Sequence, residues 1–466
     1  LPESRTANGG IPPFRNAGSS ADRHTKAKNV TPKQIHAQGK CDSCRLPSSH
    51  HANCRVYCMH IAEYDSCKLL SGRREVDMPL IPRELEPMLL ERARAYPAVT
   101  LTGPRQSGKS TLVREAFPDY DYVSLEDIDM RELAHDDPRS FLQRYSNHVI
   151  LDEVQRVPEL FSYMQRVMDE RNEPGQFILS GSQNFLLLNS ISQSLAGRVA
   201  ILHLLPLSYT ELTHAGETPS NDEFVFRGGY PRLYSSLATP ADFYPGYVAT
   251  YIDRDVRAEL GVKKIDSFNR FLTLAALRIG EVMNVSHLAD EADVDSATIR
   301  NWLSILNASF IAFQLQPYYR NYGKRLVKSA KLYFYDTGLA ANLLGIESAD
   351  QLFASQCRGA LFENAVVLEI VKQYQAQGKE PKLYYWRDSG QKEVDLIIER
   401  GGNPYFVIEI KSSATYRPKY FETLDDIAEA MGVPTERRFV VYGGEETIPT
   451  RHGTVIGLRD IGRLVR

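Results

Sequence analysis

The residues of this sequence best suited to chemistry lie between positions 97 and 111. A short strand pattern, 99–101, is followed by a glycine, four further residues and Gly-Lys-Ser, after which a helical pattern begins. Backbone N–H groups at a helix N-terminus point towards an anion, and glycines let the backbone approach it, so this spacing is typical of a phosphate-binding loop. The predicted ATP-binding residues are Gly103, Pro104, Arg105, Gln106, Ser107, Gly108, Lys109, Ser110 and Thr111.

Two acidic residues follow a second apolar strand pattern at 148–151. Carboxylate and hydroxyl oxygens suit Mg²⁺, so Asp152 and Ser110 are the predicted metal ligands. Glu153 is the predicted catalytic base that would orient and deprotonate the attacking water. Acidic residues also end many exposed strands, but here the pair follows the phosphate loop with one strand pattern, 122–125, between them.

Polar residues follow a further apolar strand pattern at 177–180. Ser182 and Asn184 are candidates for contact with the γ-phosphate, although a polar helix cap would look the same. Arg198 precedes the last strand pattern of this region, 199–204. There it could serve as an arginine finger offered to a neighbouring subunit, which predicts a homo-oligomer; the alternative is a surface arginine that caps a helix end.

Length and composition indicate a multidomain globular protein. The 466 residues are 43% hydrophobic and 24% charged, and the length suggests about three domains. A net charge of −3 argues against a protein that coats polyanions, so any DNA contact must come from local patches. No apolar run approaches 18 residues, so we expect no membrane span and a cytoplasmic location.

Residues 1–77 differ in pattern from the rest of the chain. They lack helical or strand periodicity, and they contain five of the six cysteines. We expect a disordered leader or an upstream extension. Thiolates at these spacings could instead hold zinc. The candidate zinc ligands are Cys41, Cys44, Cys54 and Cys58, and the fifth cysteine of the segment is Cys67.

The middle of the chain has helix-turn-helix spacing. One helix is predicted from residue 285, a second over 296–307, and a wing strand over 310–315. Such a unit can place a helix in the major groove of DNA, but acidic residues surround its turn and would repel phosphates. A structural winged helix is therefore the favoured interpretation. Aromatic and basic residues at 318–331 keep DNA open as a partner, with a solvated basic loop as the alternative.

The C-terminal third contains a second group of residues with chemical potential. Strand patterns at 384–387, 392–398 and 405–411 follow a helix at 360–373. The arrangement of Glu363, Asp395, Glu409 and Lys411 resembles the core of restriction-nuclease-like enzymes, in which carboxylates hold Mg²⁺ and the lysine orients water. An edge strand with an exposed Glu/Lys pair, or a decayed site that still binds DNA, would show the same residues.

Several sequence runs together resemble one family. They are LTGPRQSGKSTL (101–112), HVILDEVQ (148–155), FILSGSQNFLL (177–187), SLAGRV (194–199) and LPLSYTEL (205–212). They are similar to AAA-type ATP-binding proteins of bacteria and archaea, in which a nucleotide-binding core precedes a C-terminal domain of unknown function. The resemblance covers 78–466 and implies an ATPase whose substrate it does not supply.

The predicted fold class is α/β. We expect a parallel-sheet P-loop ATPase core over 78–215, a helical lid and winged-helix-like region over 216–325, and a restriction-nuclease-like domain over 326–466. The predicted function is Mg-dependent ATP hydrolysis that rearranges the C-terminal domains. The alternatives are an ATP-gated DNA nuclease and a nucleotide-switched DNA-binding or regulatory scaffold.

Overall fold

Apolar strands that alternate with helices form the first sheet, as the α/β pattern predicts. The computed structural model describes residues 80–182, 195–252, 265–319 and 330–465. Five parallel strands lie in the order β2-β3-β4-β1-β5. They are β1 (Ala98–Thr102), β2 (Asp121–Ser124), β3 (Val149–Asp152), β4 (Phe177–Gly181) and β5 (Val199–His203). The three central strands are buried along their whole length, as expected for a parallel sheet covered on both faces.

Helices cover both faces of this sheet. They are α1 (Glu86–Ala95), α2 (Lys109–Ala116), α3 (Ile128–Asp136), α4 (Pro138–Arg144) and α5 (Leu160–Arg171). The apolar stripe of α1 packs inwards, since Leu85, Leu89 and Ala93 are all buried. Two separate hydrophobic cores result, one on each face of the sheet. The predicted α/β class with a parallel-sheet core is confirmed.

The middle region is helical. It contains α6 (Tyr209–His214), α7 (Asn221–Arg227), α8 (Arg232–Ser235), α9 (Pro240–Tyr247), a π-helical turn (Val248–Ile252), α10 (Ile265–Leu277), α11 (Val285–Ala292) and α12 (Ser296–Ala308). A tight turn joins α11 to α12, with Asp293 in the left-handed region (φ 56°) and Asp295 capping α12. The apolar stripe of α12 faces inwards, because Ile299, Leu303 and Leu306 are buried.

The strand predicted to be a wing is part of the C-terminal sheet. It is β6 (Ala312–Pro317), and it joins an eight-stranded mixed sheet in the order β12-β13-β11-β10-β9-β8-β6-β7. The other strands are β7 (Lys331–Phe334), β8 (Leu383–Arg387), β9 (Glu393–Arg400), β10 (Asn403–Lys411), β11 (Arg438–Tyr442), β12 (Ile448–Pro449) and β13 (Thr454–Ile456). β6 pairs with β7 on one side and β8 on the other, so the helical region and the C-terminal sheet are continuous.

Further helices pack around this sheet. They are α13 (Thr337–Leu343), α14 (Ala349–Ala354), α15 (Arg358–Ala376) and α16 (Glu422–Met431), with 3₁₀ turns at Pro418–Phe421, Thr435–Arg437 and Leu458–Leu464. Helix α15 is the central one, because every residue from 364 to 374 is buried. A helix buried all round belongs to the interior of a fold. One hydrophobic core accordingly runs from Leu205 to Val465 around it.

Some predictions fall outside the described residues. These are the 1–77 leader with its cysteines, Asn184, and most of the 318–331 basic segment. The described residues belong to one compact unit, Asp77–Arg466. None of the helices in the described ranges is long and apolar enough to cross a membrane.

A buried asparagine on α15 fastens the edge strand β7. Asn364 Oδ1 accepts the Phe334 N–H at 2.7 Å, and its Nδ2 donates to the Phe334 carbonyl at 2.8 Å. β7 is the last strand of the sheet, so this amide satisfies backbone groups that no neighbouring strand reaches.

We expect Asn364→Ala to lower the free energy of unfolding by about 2–4 kcal/mol, because it leaves two buried backbone groups unpaired. Urea unfolding followed by circular dichroism measures this. Asn307→Ala, on the exposed face of α12, is the matched control and should change stability by less than about 0.5 kcal/mol. Equal stability of the two variants would contradict the role given to Asn364.

Candidate active site

The phosphate loop connects the carboxyl end of β1 to the first turn of α2. Gly103 (φ 152°) must be glycine, because a Cβ there would lie 2.2 Å from the Leu204 carbonyl oxygen. Gly108 (φ 92°) precedes α2, and no side chain among the described residues caps that helix. The first backbone N–H groups of α2 are therefore available to an anion, which fits a phosphate group.

The lysine of the loop is buried and held by the loop itself. Lys109 is 6% exposed, and its Nζ donates to the carbonyl oxygens of Gly103 (3.0 Å) and Pro104 (2.8 Å). Burial lowers the pKa of Lys109 to about 8, although the negative charges of Glu153 and Asp152 partly oppose this shift. The two predicted acids thus lie close enough to the loop lysine for their charges to act on it.

Asp152 is the point where the loop and the sheet meet. It is 5% exposed and accepts hydrogen bonds from the hydroxyls of Ser110 (2.7 Å), Tyr122 (2.5 Å) and Ser180. The structure therefore brings the two predicted Mg²⁺ ligands, Ser110 and Asp152, into contact, and this pair of oxygen donors fits a magnesium ion. Sequence reasoning missed Tyr122 and Ser180. The signal for them is the strand order, which places β2 and β4 on either side of β3.

Glu153 lies beside Asp152 in a left-handed backbone conformation (φ 52°), which turns its side chain out of the strand. Its Oε2 accepts hydrogen bonds from Ser182 Oγ (3.2 Å) and from Gln155 Nε2. Ser182, predicted to contact the γ-phosphate, thus contacts the predicted base. Gln155 was missed, since the sequence does not show that the chain turns back after Glu153.

Arg198 does not join these residues. It directly precedes β5, its carbonyl accepts the Ala98 N–H at the start of β1, and the phosphate loop follows the other end of that strand. Its guanidinium binds both carboxylate oxygens of Asp169, at 2.5 and 2.9 Å. Arg198 therefore lies at the amino ends of the strands, whereas its own chain's phosphate loop follows the carboxyl end of β1.

The second group of predicted residues converges at the C-terminal sheet. Lys411 Nζ lies 2.5 Å from Glu409 Oε1 and 3.7 Å from Asp395 Oδ2, and Asp395 also accepts the Ile410 N–H at 2.7 Å. Burial and the charge of Asp395 raise the pKa values of both Glu363 and Glu409. All four predicted residues therefore influence one another electrostatically.

A second lysine, missed in the sequence, compensates this acidic cluster. Lys331 is 1% exposed, and its Nζ contacts Glu363 (3.2 Å) and Glu393. Burial alone would lower the pKa of Lys331, but the surrounding carboxylates outweigh it and raise the pKa. Tyr333 donates a further hydrogen bond to Glu363, at 2.5 Å. The described residues include no group of three His, Cys, Asp or Glu side chains that could hold a metal ion. In this arrangement the carboxylates pair with Lys331 and Lys411, and a metal at this cluster stays a prediction.

Comparison with known proteins finds three matches to family models along the chain. Residues 95–213 match the AAA domain. Residues 218–350 and 358–461 match two domains of unknown function, DUF8612 and DUF4143. A protein of Mycobacterium tuberculosis named as uncharacterized is 33% identical over 378 residues, which cover 79% of this chain and 82% of the relative.

More distant similarities extend over much of the chain. A Haemophilus influenzae protein named as uncharacterized is 21% identical over 343 residues, covering 66% of this chain and 80% of the relative. Among solved structures, the Walker-type ATPase of Pyrococcus abyssi covers 58% of this chain and 99% of its own, with 15% identity and a TM-score of 0.38.

The parallel sheet, the phosphate loop and the match to the AAA domain define an AAA-type P-loop ATPase domain. The whole chain belongs to the same family as the M. tuberculosis protein, with which it shares most of its length. The restriction-nuclease-like and winged-helix interpretations of the remaining segments stay predictions.

The lowered pKa of Lys109 predicts a pH dependence of ATP binding. Bound phosphates favour the charged ammonium, so its pKa is higher in the complex than the value of about 8 in the free protein. Affinity should be greatest below pH 8 and fall by up to about tenfold per pH unit above it. Isothermal titration in buffers of different ionisation enthalpy should show uptake of close to one proton at pH 9. A constant affinity from pH 7 to 9.5 would contradict the prediction.

Proposed function

We propose that this protein binds Mg-ATP at the phosphate loop and hydrolyses it to rearrange its C-terminal region. The observation that carries the proposal is the hydrogen bond from Ser110 to Asp152 beside the buried loop lysine, with Glu153 next to Asp152 and close enough for its charge to act on Lys109. Phosphoryl transfer requires a helix N-terminus and a lysine that bind phosphates, and carboxylates that hold the metal and the water. These groups lie together at the carboxyl ends of the parallel strands.

Each side chain has a distinct task in the proposed reaction. The N–H groups of α2 and the ammonium of Lys109 bind the β- and γ-phosphates, for which Lys109 exchanges its bonds to the loop carbonyls for bonds to phosphate oxygens. Glu153 orients a water molecule and accepts its proton. Ser182 and Gln155 hold the Glu153 carboxylate and so fix the direction from which the water attacks.

Ser110 and Asp152 would hold the magnesium ion, which when bound neutralises charge on the phosphate oxygens. The hydroxyls of Tyr122 and Ser180 orient the Asp152 carboxylate for this purpose. Arg198 is proposed to act on the nucleotide of a neighbouring copy, because it lies at the amino ends of the strands, away from its own phosphate loop. In that case its ion pair with Asp169 has to open when two copies associate.

We expect Lys109→Ala to abolish ATP binding, and Glu153→Gln to retain binding while lowering kcat by about 10²–10⁴-fold, since only the base is lost. Titration calorimetry and phosphate release measure the two effects. Glu132→Gln, an exposed position on α3, is the control and should hydrolyse ATP like the wild type. Hydrolysis by Glu153→Gln at the wild-type rate would refute the role of the base.

Sedimentation of Glu153→Gln with ATP tests the proposed homo-oligomer. A sedimenting mass equal to that of the monomer would refute it.

The second candidate function is metal-dependent cleavage of DNA by the C-terminal domain. It is favoured by the convergence of Glu363, Asp395, Glu409 and Lys411 on one end of the sheet. Against it stands the pairing of these acids with Lys331 and Lys411, which supplies positive charge without a metal. Metal binding there would require these pairs to rearrange.

If the candidate is correct, the wild type cleaves labelled DNA with Mg²⁺ or Mn²⁺ and ATP, and Lys411→Ala does not, because the group that orients water is lost. The control is Lys392→Ala, which removes an exposed lysine that pairs with Asp426. Gel electrophoresis of the products shows whether the DNA has been cleaved. Intact DNA in every lane would exclude the nuclease and leave the ATPase proposal untouched.

A further inference from the structure

An arginine outside the phosphate-loop motif is bound to the loop. Arg83 lies before α1, is 9% exposed, and uses three nitrogens of its guanidinium. Nη1 donates to the Ser107 carbonyl (2.8 Å), Nη2 to the Leu205 carbonyl (2.6 Å), and Nε to Glu211 Oε1 (2.9 Å). Ser107 itself is fully buried, and its hydroxyl has no hydrogen-bond partner among the residues that the structure describes. Arg83 is thus the charged group that fixes the backbone of the loop at Ser107.

The partner of Arg83 is itself fixed. Glu211 is 6% exposed, and its Oε1 also accepts the Glu84 N–H (2.9 Å). Its Oε2 accepts the Ser208 N–H (2.9 Å), which completes a capping box at the start of α6. Because every oxygen of this carboxylate is bonded, Arg83 cannot shift without disturbing the first turn of α6.

The same turn is attached to α15. The buried Glu369 accepts the Tyr209 N–H (2.9 Å) and the Thr210 hydroxyl (3.0 Å). Lys372, one turn further along α15, donates to the Leu207 carbonyl (2.7 Å). A continuous series of buried polar contacts therefore leads from the phosphate loop to the central helix of the C-terminal core.

The series also reaches the second cluster of acids. Glu363 lies six residues before Glu369 on α15, a separation of about 9 Å along a rigid helix. The contacts of Arg83 and Glu211 thus connect the loop at Ser107 to the helix that carries one of the carboxylates discussed above.

We propose that Arg83 is a positioning residue of the nucleotide site, which holds the phosphate loop at Ser107 in register with helix α15 through Glu211. The inference rests on the proposed ATP binding. Arginine is required because its planar fork presents donors in three directions at once, whereas the ammonium of a lysine is a single point at the end of a shorter group. Arg83 does not touch the reacting atoms. It acts through the position of the phosphate loop, and we therefore expect it to affect the affinity for ATP more than the rate of hydrolysis.

The test compares Arg83→Lys and Arg83→Ala with the wild type in the full chain. Loss of a charge-assisted hydrogen bond from the loop should weaken ATP binding about tenfold or more, raising KM for ATP while kcat changes less than about threefold. Glu369→Gln should weaken ATP binding in the same direction by a smaller factor, because it loosens α6 from α15. Arg94→Ala removes an exposed arginine of α1 and should leave affinity and turnover unchanged.

Melting temperatures with and without ATP separate positioning from simple stabilisation. A lower melting temperature of Arg83→Lys without nucleotide, but a wild-type KM, would overturn the inference and leave a structural role only. If Arg83→Ala does not fold, Arg83→Lys alone decides between these outcomes. Wild-type affinity in Glu369→Gln would overturn the connection to α15. Failure of the wild type to bind ATP would refute the proposed function as well, which distinguishes the two failures.

Discussion

The carboxylate of Asp152 is the constraint on which the nucleotide domain depends. Three hydroxyls from three segments, on α2, β2 and β4, converge on this one buried group. A buried carboxylate is costly unless it is hydrogen-bonded, so its partners must all be in place for the domain to fold around it. The hydrogen bonds that stabilise the carboxyl end of β3 are therefore the same bonds that orient the proposed metal ligand.

The motif residues could be predicted because their spacing is local. The strand, loop and helix of residues 98–116, and the acids that end β3, follow from periodicity and from the requirements of a phosphate site. Tyr122, Ser180 and Gln155 could not be predicted in this way. Their contacts depend on strand order and on a left-handed turn at Glu153, which one sequence read alone does not reveal.

The same distinction holds at the C-terminal cluster. Glu409 and Lys411 alternate on one strand, so their common face follows from strand geometry. Lys331 could not be predicted from the sequence. It lies on β7, which is next to the cluster only because β6 joins the C-terminal sheet. This unexpected strand also changes the electrostatics, because a buried lysine then neutralises acids that the sequence pattern assigns to a metal.

The continuous core from Leu205 to Val465 has a consequence for how this chain can evolve. The two segments of unknown function, 218–350 and 358–461, are separate at the level of sequence families but share one interior. Recombination that exchanged either segment for a homologue would have to match the buried side chains of the other, because close-packed interiors tolerate little change in shape. The two segments are therefore expected to be inherited as a pair, with new specificities arising on their surfaces.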